Sequence, residues 1–364
     1  MTFQDLAAGL DILEQQGDLT VEIDAIAYDS RKARAGTLFV CIEGFVTDGH
    51  QYALQAQKQA AAALVVQKPV EGVTIPWIRV ADTRRALAHL ADRFFDHPSG
   101  RLDLIGLTGT KGKTTATYMT RAILASAGRK VGLIGTVANI IGSDIVYASR
   151  TTPESYDLQA LLDEMVSRGM DACVMEVSSQ GLMLDRVYGC TYLTGAFTNL
   201  FHDHIGPHEH ATMDEYLAAK LMLFDRCRQA VVNRDIAQYE KVRGAVRGPC
   251  LTYGLHPDAD VRAANLRQVT QNQRVGTLFE LSAPWFCGEV FVGMPGRFNV
   301  SNALAAIACA GLSGATLDAV RSGLATISVP GRVQPIPTGR PFQVIVDYAH
   351  NAASLETLLQ TLRD

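Results

Sequence analysis

The chain has 364 residues, of which 48% are apolar and 19% charged, and its formal net charge is −4. That length predicts two or three domains, and the apolar content excludes a disordered chain. The slight acidity gives no electrostatic ground for nucleic acid or an anionic membrane as partner, and no apolar run is long enough to span a bilayer.

The N-terminus, Met1-Thr-Phe-Gln-Asp-Leu6, lacks the charged and apolar regions of a signal peptide. The seven cysteines are scattered, with no C-x-x-C pair. They read as buried thiols in a reducing cytoplasm, not as a disulfide framework or zinc site. Residues 1 to about 100 alternate short strands and helices. Thr37–Ile42 and Ala63–Val66 read as buried strands, Asp82–Phe95 as a helix and Asp96–Gly100 as a linker.

From Leu102 the pattern is strand, helix, strand. Leu102–Thr108 is an apolar strand, Thr114–Ala127 a helix stopped by Gly128, and Lys130–Ile134 the next strand. Asp171–Glu176, Leu193–Thr198 and Gln229–Asn233 follow. Apolar runs separated by helices predict an α/β fold with a doubly wound, mostly parallel sheet. Ligands of such sheets sit beyond the carboxyl ends of the strands, where Glu176, Asn199 and the loop after Thr108 fall. Val275–Leu281 and Glu289–Val292 predict an antiparallel insertion. Asn299–Leu312 predicts a helix capped by Asn299 or Ser301. Gln343–Asp347 reads as a buried parallel strand and Ser354–Arg363 as its helix. One such unit cannot bury both faces of its strand, so a third domain cut after its first unit is expected.

Gly109-Thr-Lys-Gly-Lys-Thr-Thr115 lies between strand and helix. Gly112 lets the backbone turn without a Cβ clash, and the helix points free N–H groups at an anion. Lys113 reaches β/γ-phosphates and the Thr114 hydroxyl can ligate Mg²⁺. Leu107 stands where the strict pattern has its first glycine; the bland alternative is a Gly/Thr-rich turn. Glu176, at a strand end, offers Mg²⁺ a hard oxygen; its alternative is a salt-bridged core carboxylate. Arg186 could pair with Glu176 or bind an anionic substrate. Residues 197–210 hold four histidines, at 202, 204, 208 and 210. His204, beside Asp203, is the ligand candidate, whereas His202, His208 and His210 read as solvated. Thr212–Glu215 is a capping box. On the helix it opens, Lys220 sits among Ala218, Ala219, Leu221 and Leu223, where burial would favour its neutral, reactive amine.

Together these motifs resemble the Mur ligase family, amide-forming ATP-dependent enzymes of peptidoglycan synthesis, and most of all its tripeptide-synthetase branch. The resemblance rests on Asp29-Ser-Arg31, Leu38-Phe-Val40 and Asp48-Gly-His50 near the start. The loop 109–115, Thr151-Thr-Pro153, Glu176-Val-Ser-Ser179 with Arg186, Phe197-Thr-Asn199, Asp203-His204 and Tyr216–Lys220 follow. Asn299, Asn302, Gly331-Arg332 and Asp347–His350 complete it.

The resemblance implies a UDP-MurNAc-binding domain (1–98), a central P-loop ATP-binding ligase domain (99–332) and the first βα unit of a truncated Rossmann-like C-terminal domain (333–364). It implies transfer of a diamino acid, meso-diaminopimelate or L-lysine, onto UDP-MurNAc-L-Ala-D-Glu through an acyl phosphate, with ATP and Mg²⁺. Catalysis would fall to Lys113, Glu176, His204 and Lys220. ATP would lie on Gly109, Thr110, Lys111, Gly112, Lys113, Thr114 and Thr115, with Asn302, Arg332, Asp347 and His350. Ser30, Thr151, Thr152, Ser178 and Arg186 would hold the UDP-muramoyl dipeptide. Thr114, Glu176, His204 and Lys220, as its carbamate, would hold Mg²⁺. A cytoplasmic enzyme is implied, with a monomer expected and weak turnover if the third domain is incomplete. Gln180 and Arg150 stand where the family usually has His and Asn, and the Asp-Asn-Pro-Arg acceptor motif is absent. The rivals are a related ligase with another acceptor (including a folylpolyglutamate-type enzyme), a metal-dependent hydrolase using the 202–210 histidines, and a silent nucleotide-binding module.

Overall fold

The computed structural model describes residues 1–364 except Phe45, Val46, His208, Pro337, Arg340, Pro341, Gln343, Asn351 and Asp364, and the side chains of Ala353 and Thr357. The N-terminal sheet runs Ile12–Gln16, Trp77–Val80, Ala63–Val66, Thr37–Val40, Ala25–Ala27. Its inner strands, Thr37–Val40 and Ala63–Val66, are buried at every residue, as expected of parallel strands covered on both faces. Helix Thr83–Phe94 starts where the Asp82 carboxylate accepts from the Arg84 and Arg85 amides, at 2.8 and 3.1 Å. It lays Ala86, Leu87 and Leu90 into the core of this sheet. Asp96 and His97 then turn the chain in the left-handed region, and Pro98–Gly100 leads into the second sheet.

That sheet has eleven strands. In order they are Cys287–Val292, Arg274–Ser282, Val261–Gln271, Cys250–Gly254, Cys227–Asn233, Tyr192–Phe197, Asp103–Thr108, Ala172–Glu176, Val131–Ile134, Ala138–Ile141 and Asp144–Tyr147. From Val261–Gln271 to Val131–Ile134 every pairing is parallel. Helices Lys113–Ser126 and Arg297–Leu312 pack on one face with Ile105, Leu107 and Val174. Helix Ser155–Ser167 covers the other with Leu158, Leu162 and Met165 against Leu104 and Cys173. The doubly wound expectation therefore holds at the centre.

The edges differ from the sequence reading. The strands over 274–292 pair antiparallel as expected, and Val261–Gln271, which the pattern does not reveal, joins them to the main sheet by pairing Tyr253 with Val261. The opposite edge is an antiparallel hairpin whose outer strand, Asp144–Tyr147, is exposed throughout and so carries no alternation to read. Helix Arg297–Leu312 begins two residues before the expected cap, after Gly296, and the Asn299 amide and side chain bond to the carbonyls of Gly296 and Pro295. The expected buried parallel strand at 343–347 is instead Val344–Val346, mostly exposed and antiparallel to Gln334–Ile336, its partner among the described residues; Gln343 lies outside them. Four of the seven free cysteines are buried as expected, Cys227 and Cys250 are half-buried, and Cys287 is exposed.

Candidate active site

Four neighbouring parallel strands end together, and their loops build one site. After Thr108 the chain turns through Gly109 to Gly112 and enters the helix at Lys113. Neighbouring strand ends hold this loop. The Asn199 side chain accepts from the Lys111 amide at 2.8 Å and donates to the Lys111 carbonyl at 3.0 Å. The Thr198 hydroxyl donates to the same carbonyl at 2.8 Å, and Lys111 pairs with Asp203 at 3.0 Å. Gly112 has φ +82°, and a Cβ there would stand 2.2 Å from Asn302 Oδ1. Gly112→Ala is therefore expected to weaken ATP-analogue binding about tenfold or more, roughly 1.4 kcal/mol, as titration calorimetry would read directly.

Glu176 is 1% exposed. Its Oε2 accepts from the Thr114 and Thr136 hydroxyls, each at 3.0 Å, and its Oε1 accepts from the Thr136 amide at 2.8 Å. Its partners among the described residues are two hydroxyls and an amide, with no ion pair; the salt-bridge alternative fails. A buried carboxylate satisfied by hydroxyls, with Thr114 already beside it, is a donor set suited to Mg²⁺. Thr136 was not foreseen, because it reaches Glu176 across 40 residues of sequence.

Two lysine amines converge on one carbonyl. Lys113 Nζ donates to Gly109 O at 2.8 Å and Thr110 O at 3.1 Å, and Lys220 Nζ donates to Gly109 O at 2.9 Å. Lys220 is 1% exposed and lies over the Tyr216 ring, 4.2 Å from its centre. Burial, reinforced by the Lys113 charge, holds its amine well below the ordinary lysine range. Between that lowered value and the ordinary 10.5, the unfolded chain binds a proton that the native state lacks. Stability therefore rises with pH across this window, and at neutral pH the buried amine costs stability. Lys220→Met leaves Gly109 O bonded to Lys113. It is expected to raise unfolding stability at pH 7 by about 1–2 kcal/mol, a gain that shrinks as pH approaches the ordinary lysine value in denaturant titrations.

The histidine segment divides. His202 is exposed and His208 lies outside the described residues. His210, read as solvated, is 1% exposed: its Nε2 meets Ser179 Oγ at 2.9 Å, and its ring lies 5.0 Å from that of Tyr216. The apolar wall of Tyr216 explains the difference, and burial lowers the imidazole pKa. His204 has φ +56° and bonds Glu209 at 2.9 Å; no described contact joins it to Glu176. Among the described residues no three His, Cys, Asp or Glu side chains cluster as a metal site. The capping box forms on one side only. Thr212 Oγ1 accepts from the Glu215 amide, but Glu215 Oε2 accepts from Ala211.

Thr152, Ser178 and Arg186 meet around the same strand end. Thr152 Oγ1 donates to Glu176 O at 3.1 Å and accepts from the Ser178 amide at 3.0 Å, and Thr151 meets Thr136 at 3.0 Å. Ser178 Oγ caps the next helix. Arg186 does not pair with Glu176; its Nε faces Glu154 at 3.4 Å and its Nη1 donates to Thr152 O at 3.3 Å. Ser30 is buried in the N-terminal domain, 3.5 Å from Gln55 Oε1. Asn302 abuts the phosphate loop. Arg332 stacks on Tyr348 at 4.7 Å. Asp347 accepts from the Val333 and Ala349 amides at 2.8 and 2.7 Å, and His350 packs against Tyr348.

The chain has relatives both in sequence and in structure. The family profile "Mur ligase middle domain" matches residues 107–310, and "Mur ligase family, catalytic domain" matches 22–95. The UDP-N-acetylmuramoyl-L-alanyl-D-glutamate--2,6-diaminopimelate ligase 1 of Clostridium acetobutylicum is 42% identical over 96% of this chain and 72% of its own length. The correspondingly named ligase of Alkaliphilus metalliredigens is 41% identical over 100% of this chain and 74% of its own length. A solved structure of a ligase of the same name superposes with a TM-score of 0.83 at 26% identity, covering 100% of this chain and 74% of that one. Fold, site and relatives together define an ATP-dependent amide ligase. The chain belongs to the Mur ligase family.

Proposed function

We propose that this chain joins a diamino acid to the D-glutamyl carboxylate of UDP-MurNAc-L-Ala-D-Glu at the expense of ATP, a step of peptidoglycan synthesis. The names of its relatives favour 2,6-diaminopimelate as the acceptor. One observation carries the reading: the buried Glu176 carboxylate lies 3.0 Å from the hydroxyl that follows the phosphate-loop lysine.

In this reading the loop amides of 109–115 and Lys113 cradle the triphosphate. Asn302, Arg332, Asp347 and His350 line the nucleotide; both Asp347 oxygens are engaged by backbone amides, so its part is to shape the turn carrying Arg332. Thr114, Glu176 and His204 would hold Mg²⁺, which supplies charge neutralisation of the transferring phosphoryl group; His204 must leave Glu209 to join them. Lys220, held neutral, takes up CO₂ and loses a proton to become a carbamate, adding an anionic oxygen to that donor set. Ser30 contacts the uridine part, and Thr151, Thr152, Ser178 and Arg186 the muramoyl dipeptide. The dipeptide carboxylate oxygen attacks the γ-phosphorus, and the bond to the β-phosphate oxygen breaks, giving acyl phosphate and ADP. The acceptor amine then attacks the acyl carbon, a proton leaves the nitrogen and phosphate departs.

Residues 1–98, 99–332 and 333–364 serve as the uridine-nucleotide domain, the ATP-binding domain and the opening of the third. The reaction draws on cytoplasmic ATP, and no described helix is long and apolar enough to cross a membrane. A coupled ADP-release assay tests the reading. ADP formation is expected only when ATP, the dipeptide nucleotide and a diamino acid are all present, with diaminopimelate preferred to lysine. Equal release without the dipeptide nucleotide would overturn it.

A further inference from the structure

Glu154 is assigned no part in the chemistry above, yet three arginines meet at one of its oxygens. Its side chain is 3% exposed, and Oε2 lies 3.2 Å from Arg84 Nη1, 3.4 Å from Arg186 Nε and 3.5 Å from Arg150 Nη1. Among the described residues none of the three has a second carboxylate within 4 Å. The other oxygen, Oε1, accepts from the Ser155 amide at the start of helix Ser155–Ser167, which fixes the carboxylate.

The partners come from separate parts of the molecule. Arg84 stands on the first turn of the N-terminal helix Thr83–Phe94 and also donates to Glu43 O at 3.0 Å. Arg186 lies beyond the strand that ends at Glu176; its Nε faces Glu154 at 3.4 Å as an ion pair without a hydrogen bond, and its Nη1 donates to Thr152 O at 3.3 Å. A flexible guanidinium held at two points loses little entropy when it binds a carboxylate. One buried carboxylate among three guanidiniums also leaves the cluster short of negative charge, which an anionic ligand would supply.

We propose that Glu154 is a positioning residue: it aims Arg186 at the peptide end of the nucleotide-sugar substrate and, through Arg84, links that aim to the N-terminal domain. The proposal rests on the substrate reading given above. Glu154 touches no reacting atom and acts through Arg186.

Titration calorimetry with three probes tests it: UDP-MurNAc-L-Ala-D-Glu, UDP-MurNAc and UDP. Glu154→Gln is expected to lose about tenfold in affinity for the dipeptide nucleotide, equivalent to about 1.4 kcal/mol, and less than about twofold for UDP. Arg84→Met, which leaves Glu154 and Arg186 in place, is expected to lose affinity for the same probe in the same direction. The double variant should bind no worse than Glu154→Gln, because both changes break one chain of contacts. Wild-type affinity for the dipeptide nucleotide in Glu154→Gln or in Arg84→Met would overturn the proposal. So would equal losses for all three probes with additive effects, the mark of a purely structural role. A wild-type chain that binds the dipeptide nucleotide no better than UDP would overturn the substrate reading, and this proposal with it.

Discussion

Lys113→Ala is expected to lower ATP-dependent turnover by about a thousandfold, while affinity for the UDP-muramoyl dipeptide stays within about twofold. The first figure follows from removing a preorganised charge from a site where negative charge migrates during phosphoryl transfer. The lysine is half-buried; desolvation lowers the pKa of its amine and Glu176 opposes that shift. It now donates to the Gly109 and Thr110 carbonyls. An arriving triphosphate offers it stronger, charged acceptors, so the amine is poised to exchange two neutral partners for an anion. The second figure follows from placement, because Thr152, Ser178 and Arg186 make their contacts without Lys113. Initial rates and calorimetry on one preparation check both parts. A variant that keeps its turnover would show that the loop does not serve phosphoryl transfer.

Lys220→Ala is expected to lose turnover by about two to three orders of magnitude and to recover part of it in acetate or formate. A plain ammonium at this position would be replaced by neither anion. A carbamate would, because a small carboxylate can enter the cavity left by the side chain and present the same oxygens. Three features favour the carbamate: near-complete burial, the adjoining Lys113 charge and the resulting depressed basicity. Lys220→Arg puts a permanent positive charge at this position and cannot take up CO₂, so it is expected to be inactive and unaffected by acetate. Rescue of neither variant, with a wild type indifferent to removal of CO₂, would count against the carbamate.

What could be read from the sequence was mostly contiguous. The loop 109–115 is legible because strand, glycines, lysine and hydroxyl follow one another, and the end of an apolar run places Glu176 beside it. Lys220 was legible through its apolar neighbours, although the sequence alone does not show that its amine meets the same carbonyl as Lys113. The parts that escaped are long-range. Arg84 and Glu154 are 70 residues apart, and neither segment hints at the other; the one local sign is a carboxylate directly before Ser155, where an acid favours a helix N-terminus. His210 was misread because polar neighbours in sequence suggest solvent, whereas the Tyr216 ring that covers it is supplied by the following helix. Gln343–Asp347 has the composition of a buried parallel strand, yet in the structure Val344–Val346 pairs only with the short antiparallel segment Gln334–Ile336 among the described residues. Hydrophobicity reports what a strand can bury, not which neighbour arrives to cover it.

In the mechanism proposed above, triphosphate cleavage at Gly109–Thr115 activates a carboxylate for amide formation. Oxygen transfer tests it most directly. UDP-MurNAc-L-Ala-D-Glu labelled with ¹⁸O in its D-glutamyl side-chain carboxylate is incubated with the protein, ATP, Mg²⁺ and diaminopimelate, and the released phosphate is analysed by mass spectrometry. Phosphate that carries an ¹⁸O atom for each amide formed is the predicted result. Unlabelled phosphate released in step with ADP would mean that water takes the phosphoryl group and that no acyl phosphate forms.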